Sequence, residues 1–319
     1  MQAGIGDGGF MIRTVAQNIY GSMIMVLFLL NVVLWSIPIM VISIFKFLIP
    51  IRAWRLMASR WLMKCGENWI SFNRGIVGIT QDISWEFRGV EGLRREEWYL
   101  VVSNHQSWLD ILALQLALNR RIPFLKFFIK QQLIWIPILG QVWWAMDMPF
   151  MKRYSREYLA KNPQMRGRDL EATRKACEHF SETPTSVMNF LEGTRFTPIK
   201  HKAAKSPYTY LLPPRPGGAA FVLGALGKSL HALLDVTIVY AEGRPSLWDL
   251  CMGKVSRVVV DVHEYPIDSW LLPGDYQGDN AYRARFKERL RELWLAKDRR
   301  IAEIRAQEGL LDDAQDSAP

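Results

Sequence analysis

From Thr14 to Phe45 the chain carries no charged residue, reading TVAQNIYGSMIMVLFLLNVVLWSIPIMVISIF between Arg13 and Lys46. A helix on the surface of a soluble protein keeps a polar face, whereas one that is apolar all round is buried in a large core or in lipid. About 20 apolar residues cross a bilayer, and this run is longer. The segment is therefore expected to be membrane-embedded. It does not read as a cleaved signal peptide: the apolar part is too long, Asp7 stands in the leading segment with Arg13, and no small-x-small site follows. At 1.5 Å per residue it would make roughly 48 Å of helix, against a hydrocarbon core of about 30 Å. Pro38 can kink such a helix or close it into a hairpin, so a single tilted span and a re-entrant hairpin both fit.

The cations around the run give an orientation. Lys46, Arg52, Arg55, Arg60 and Lys64 follow it, and only Arg13 precedes it closely. The positive-inside rule then places residue 50 onward in the cytoplasm. The stretch IRAWRLMASRWLMKCGENWI mixes Arg and Lys with Trp, Leu and Met, as interfacial amphipathic helices do, although a core-facing helix shows the same pattern. The whole chain has 40 Lys+Arg against 31 Asp+Glu, a net charge of +9, which calls for anionic partners. Zinc-finger spacing, an RNA-recognition signature and a long Lys/Arg block are all missing from the sequence, so acidic lipid is the expected partner and nucleic acid is not. Cys65, Cys177 and Cys251 are odd in number and far apart, which gives neither a disulfide framework nor a metal-binding C-x-x-C.

Beyond residue 80 the pattern is globular. Strand-like runs occur at 84–88, 98–103, 123–129, 186–191, 234–240 and 255–262, with helical patterns near 108–119, 166–181, 217–229 and 280–307. This alternation predicts an α/β fold. Three regions result: a membrane segment with its interfacial helix (1–75), an αβ domain (76–275), and a charged helix with a polar tail (276–319). Residues 152–182 read as a polar, basic insertion between two core strands.

Three strand ends carry chemistry. After the apolar strand WYLVVS comes Asn104-His105, with Asp110 five residues beyond His105. His105 suits a general base, and Asp110 can hold its tautomer and stabilise the imidazolium. Residues five apart on one helix diverge by about 140°, so the pair meets only if His105 lies in the turn before the helix. Taken alone, the spacing fits equally a capping Asp beside an incidental His. No G-x-S-x-G is present, so a dyad without its own nucleophile implies direct transfer to a substrate hydroxyl. The second strand end is Glu192-Gly193-Thr194-Arg195, where Gly193 permits a tight turn and Arg195 offers a fork for phosphate. The third is Phe150-Met151-Lys152-Arg153, with Arg153 as a further phosphate ligand or simply a solvated cation.

In this order, N-H-x-x-x-x-D, F-x-x-R and E-G-T-R, the chain resembles the lysophosphatidate acyltransferase family, the 1-acylglycerol-3-phosphate O-acyltransferases, over residues 80–265. The resemblance implies a glycerolipid acyltransferase-like αβ domain at a membrane face, with acyl-CoA or acyl-ACP as co-substrate and no metal or other cofactor. By position, His105 and Asp110 would be catalytic. Asn104, Phe150, Arg153 and the residues Glu192, Gly193, Thr194 and Arg195 would bind substrate, with the Gly193 N–H helping an oxyanion. Lys130, near the turn Ile136-Pro137-Ile138-Leu139-Gly140 of the acyl tunnel, would be a phosphate contact. The family's fourth block commonly ends in proline, but here it ends in Tyr240. That ending, the long insertion and the run LLPPRPGGAAFVL resemble the subgroup of lysocardiolipin acyltransferases and their bacterial relatives. The acceptor is accordingly 1-acylglycerol-3-phosphate, a lysophosphatidylglycerol-type lipid or lysocardiolipin. The expected location is a bacterial inner membrane, with the catalytic domain on the cytoplasmic face. A non-catalytic lipid-binding protein on the same fold is the competing reading.

Overall fold

The computed structural model describes residues 6–151, 180, 183–227, 229–267, 274, 276 and 278–310. Its centre is a six-stranded sheet. In chain order the strands are β1 (Ser84–Arg88), β2 (Tyr99–Ser103), β3 (Leu125–Phe127), β6 (Ser186–Phe190), β7 (Ala232–Tyr240) and β8 (Arg257–Pro266), arranged β1-β8-β7-β2-β6-β3. All neighbours pair parallel except β7 and β8. A separate two-stranded sheet joins β4 (Ile129–Lys130) and β5 (Phe150–Met151). Every residue of β2 and β7 is buried, as expected for central strands covered on both faces.

Alternation along β2 divides the core. Tyr99 and Val101 face a layer containing α1 (Gly6–Leu48), α2 (Arg52–Thr80), α3 (Leu109–Leu118) and α4 (Leu139–Ala145). Leu100 and Val102 face a layer containing α6 (Pro216–Leu226) and α8 (Asn280–Gln307). Two short helices, α5 (Pro198–Ala204) and α7 (Leu247–Cys251), flank the strand ends. The charged helix at 280–307 is thus part of the core rather than an appendage. Lys297, fully buried, pairs with Asp235 Oδ1 at 2.6 Å, and Arg300 pairs with Oδ2 at 3.0 Å. A buried carboxylate needs such partners to be tolerated at all.

Of the two expected forms of the N-terminal run, the hairpin is the one the structure contradicts. The run is one continuous helix, α1, with Pro38 inside it, so it does not close as a re-entrant hairpin. The helix also makes contacts along its length. Tyr20 Oη bonds Thr80 O, Gly21 packs against Trp248 and Met252, Asn31 Nδ2 donates to Trp69 O at 3.1 Å, and Lys46 pairs with Asp147 at 2.7 Å. From residue 20 to 46, roughly 39 Å of helix, α1 is fastened to the rest of the fold. Its outer face stays apolar and exposed from Met11 to Leu48.

α2 runs on to Thr80, past residue 75, and buries Ala58, Leu62, Gly66 and Ile70. A Cβ on Gly66 would collide with Met146 and Phe124, so glycine is what lets the helix close on them. The charged face of α2 therefore sits on a helix that also serves the core.

Candidate active site

Strand register assembles the site. Ser103 at the end of β2 pairs with Phe190 at the end of β6 and with Val236 of β7. The turns that follow β2 and β6 therefore emerge side by side. β7 continues two pleats further, which brings Ile238 and Tyr240 alongside the β2 turn.

His105 lies in that turn and Asp110 in the first turn of α3. His105 Nδ1 is 2.8 Å from Asp110 Oδ2. The same oxygen accepts the backbone N–H groups of Gln106 at 2.6 Å and Ser107 at 2.8 Å. Asp110 Oδ1 accepts the Tyr240 hydroxyl at 2.7 Å. Asp110 is fully buried, whereas the His105 side chain keeps 15% exposure. With Oδ2 acting as acceptor, the ring proton sits on Nδ1 and the Nε2 lone pair is left for a substrate. The Phe190 ring stacks on the imidazole, centroids 3.9 Å apart. The capping-Asp reading is also realised, since Asp110 reaches back to two turn amides. One side chain does both jobs.

The expectation that Asn104 binds substrate is corrected. Asn104 is buried, and its amide clamps β7: Nδ2 donates to Ile238 O and Oδ1 accepts Ile238 N–H, both at 2.9 Å. Glu192 likewise points inward. Oε1 accepts His105 N–H at 2.7 Å and Oε2 accepts Leu212 N–H at 3.0 Å. Burial pushes its carboxyl up to about 8, so it is mostly protonated at neutral pH. Both residues are buried and hold the His105 turn in place.

Gly193 adopts φ +67°, and a Cβ there would meet Arg215 at 3.0 Å. Its N–H donates to Phe190 O at 2.9 Å, closing the turn, which corrects its expected role as an oxyanion donor. Thr194 Oγ1 accepts Lys200 Nζ at 2.7 Å. Arg195 is exposed and lies over the Trp108 ring at 5.1 Å. Arg215 beside Gly193, Lys200, and Arg244 over the Phe196 ring at 4.7 Å complete a cationic rim. Phe196 is itself tied to this turn, donating its N–H to His105 O at 2.7 Å.

The remaining expected residues lie elsewhere. Phe150 pairs with Ile129 in the small sheet, and Lys130 is exposed on β4 of that sheet. Arg153 and, apart from Phe180, the helical pattern at 166–181 fall outside the described residues. Arg215, Lys200, Arg244 and the role of Tyr240 escape a reading of the sequence. A lone cation far from its partners gives no local signal, and only the oddity of Tyr240 at a proline position points to a special site.

The acyltransferase family model matches residues 84–241. The chain is 26% identical over 194 residues to 1-acyl-sn-glycerol-3-phosphate acyltransferase gamma of Mus musculus, covering 56% of this chain and 48% of that protein. It is 26% identical over 214 residues to the delta protein of the same species, covering 62% and 51%. The chain thus spans about half the length of the curated relatives it matches. In fold it is similar to the 1-acyl-sn-glycerophosphate (LPA) acyltransferase PlsC from Thermotoga maritima, with TM-score 0.52, 18% identity, and coverage of 92% of this chain and 97% of that one.

Proposed function

With residues 84–241 matching the acyltransferase family model, we propose that this protein moves a fatty acyl group from a thioester, acyl-CoA or acyl-ACP, to the free sn-2 hydroxyl of a lysophospholipid. The acceptor proposed is 1-acyl-sn-glycerol-3-phosphate and the product phosphatidic acid, in keeping with the names of the relatives.

The observation that carries this reading is the His105–Asp110 pair, with Asp110 wholly buried and His105 open at Nε2. Nε2 takes the proton of the acceptor hydroxyl as its oxygen attacks the thioester carbonyl. The C–O bond forms, the C–S bond breaks, and the departing sulfur takes the proton back from the imidazolium. Asp110 holds the Nδ1 proton throughout and stabilises the cation. Arg195 and Arg215 meet the acceptor phosphate at the rim, and the family resemblance alone makes Arg153 a further phosphate ligand.

The apolar outer face of α1, together with exposed Ile138 and Trp144 at and in α4, which packs on it, and exposed Trp135, lies in the interfacial layer of a membrane. The helix runs along that surface, and the αβ domain sits on the cytoplasmic side, where the cations of α2 find anionic lipid.

The test is acyl transfer by full-length protein to a panel of lysophosphatidate, lysophosphatidylglycerol and lysocardiolipin with both donors. His105→Ala should lower kcat by ~10²–10⁴. Undiminished transfer by that variant overturns the mechanism, and a preference for another lysolipid reassigns the acceptor.

A further inference from the structure

A cleft of about 850 Å³ opens at the end of the sheet away from His105. That lies within the ~300–1,000 Å³ range of small-molecule sites. Thr185, on its lining, leads into β6, whereas Glu192 follows the other end of that strand. A five-residue strand separates the two edges by about 17 Å. The cleft is therefore not part of the catalytic pair's surroundings.

Its charge is one-sided. α2 contributes Arg52, Arg55, Arg60 and Lys64, the opposite wall adds Arg95 and Lys126, and Lys46 closes one end. Among the described residues two carboxylates line it, Glu67 and Asp147, and both are already paired, with Arg95 and Lys46 respectively. Exposed apolar side chains adjoin the cations: Met57 and Trp61 belong to the lining, Phe47, Leu48 and Ile51 next to its Lys46, Pro50 and Arg52 in the chain are exposed, and Trp54 meets Trp61 edge-on at 5.8 Å. These side chains continue the exposed apolar face of α1.

Cations inside and apolar side chains at the lip match a molecule with an anionic head and hydrocarbon tails. We propose that this cleft binds the phosphate headgroup of an intact anionic phospholipid, with its chains lying along α1. It is a second lipid site, distinct from that of the reacting acceptor. The proposal rests on the interfacial placement of α1, but binding here does not require turnover. An acidic protein such as acyl carrier protein suits the charge but not the apolar lip, and docked here it would deliver its thioester to the wrong edge of the sheet.

The probe is labelled dihexanoylphosphatidylglycerol, followed by equilibrium dialysis against the full chain in neutral micelles. Wild type should bind it saturably and well ahead of dihexanoylphosphatidylcholine. The Arg55→Ala/Arg60→Ala/Lys64→Ala variant should bind it on the order of 100-fold more weakly, from about 1 kcal/mol per cation at an anionic surface. Arg195→Ala, at the catalytic edge, should bind it as wild type does. Should the triple variant unfold, Arg60→Glu alone, on an exposed position, should still weaken binding by about tenfold or more. Equal binding of the two lipids overturns the proposal, as does loss with Arg195→Ala instead of the α2 changes. Displacement by millimolar inorganic phosphate would mark a free-anion site and also overturn it. So would capture of acyl carrier protein by the α2 cations without lipid binding. Because dialysis reads binding alone, an inactive enzyme would leave this result intact.

Discussion

The hydroxyl of Tyr240 donates a 2.7 Å hydrogen bond to Oδ1 of Asp110, the carboxylate oxygen that His105 does not use. Tyr240 is wholly buried, and burial next to Asp110 holds its phenol well above the ordinary range, so it remains a donor at any working pH. The hydroxyl fixes the carboxylate plane and shares its charge, which tempers the pull of Asp110 on the imidazole proton.

Tyr240→Phe removes that donor with little change of shape. Asp110 then attracts the Nδ1 proton more strongly, and the imidazolium is favoured. The acid limb of kcat/KM should move to higher pH, and the rate at neutral pH should fall several-fold. Hydrogen bonds to charged groups contribute about 1.5–3 kcal/mol, so a matching loss of stability is also expected. A pH–rate profile superimposable on that of the wild type would show Tyr240 to be packing only.

Arg195 stands at the open rim over Trp108, whereas Arg215 packs against Gly193. Arg195→Ala should raise KM for a phosphate-bearing acceptor by ~10–100-fold, the value of a hydrogen bond to a charged group, and leave KM for the donor nearly unchanged. Steady-state kinetics with each substrate varied in turn measures this. Equal effects on both would place Arg195 outside the phosphate site. Arg215→Ala should act in the same direction.

Glu192 links acid–base state to the fold. Its carboxyl is raised by burial from 4.5 to about 8, so the folded protein holds a proton that the unfolded chain releases. The sign is then fixed: this stabilisation is complete below about pH 4.5 and is lost progressively as pH rises to about 8, by several kcal/mol in all. Glu192→Gln cannot ionise, so its Tm should lack this decline between pH 5 and 8. Its baseline should be lower, because an amide N–H₂ now faces the Leu212 N–H. Parallel Tm–pH curves for the two proteins would refute the linkage.

Much of this molecule is legible in local pattern. The uncharged run at 14–45, the six strand segments and the helix at 280–307 follow from periodicity, which a short window contains. The His105–Asp110 pair is legible in part: five residues need only one turn and the start of a helix, so the spacing permits their meeting, and the turn that holds His105 brings it about. Arg195 at a strand end is likewise visible, because Gly193 close by marks the turn.

What only the tertiary structure decided depends on register between distant strands. Tyr240 meets Asp110 across 130 residues because β7 runs two pleats beyond its pairing with Ser103. The same extension turns Asn104 from an expected substrate ligand into a clamp on Ile238. Glu192 faces inward because Leu212 and His105 both present amides to it. α1 lies along the domain because Tyr20, Asn31 and Lys46 each find partners there, which hydropathy alone does not encode. Periodicity tells a side chain which face to take; which atoms it finds on that face is set by how the strands and helices stack.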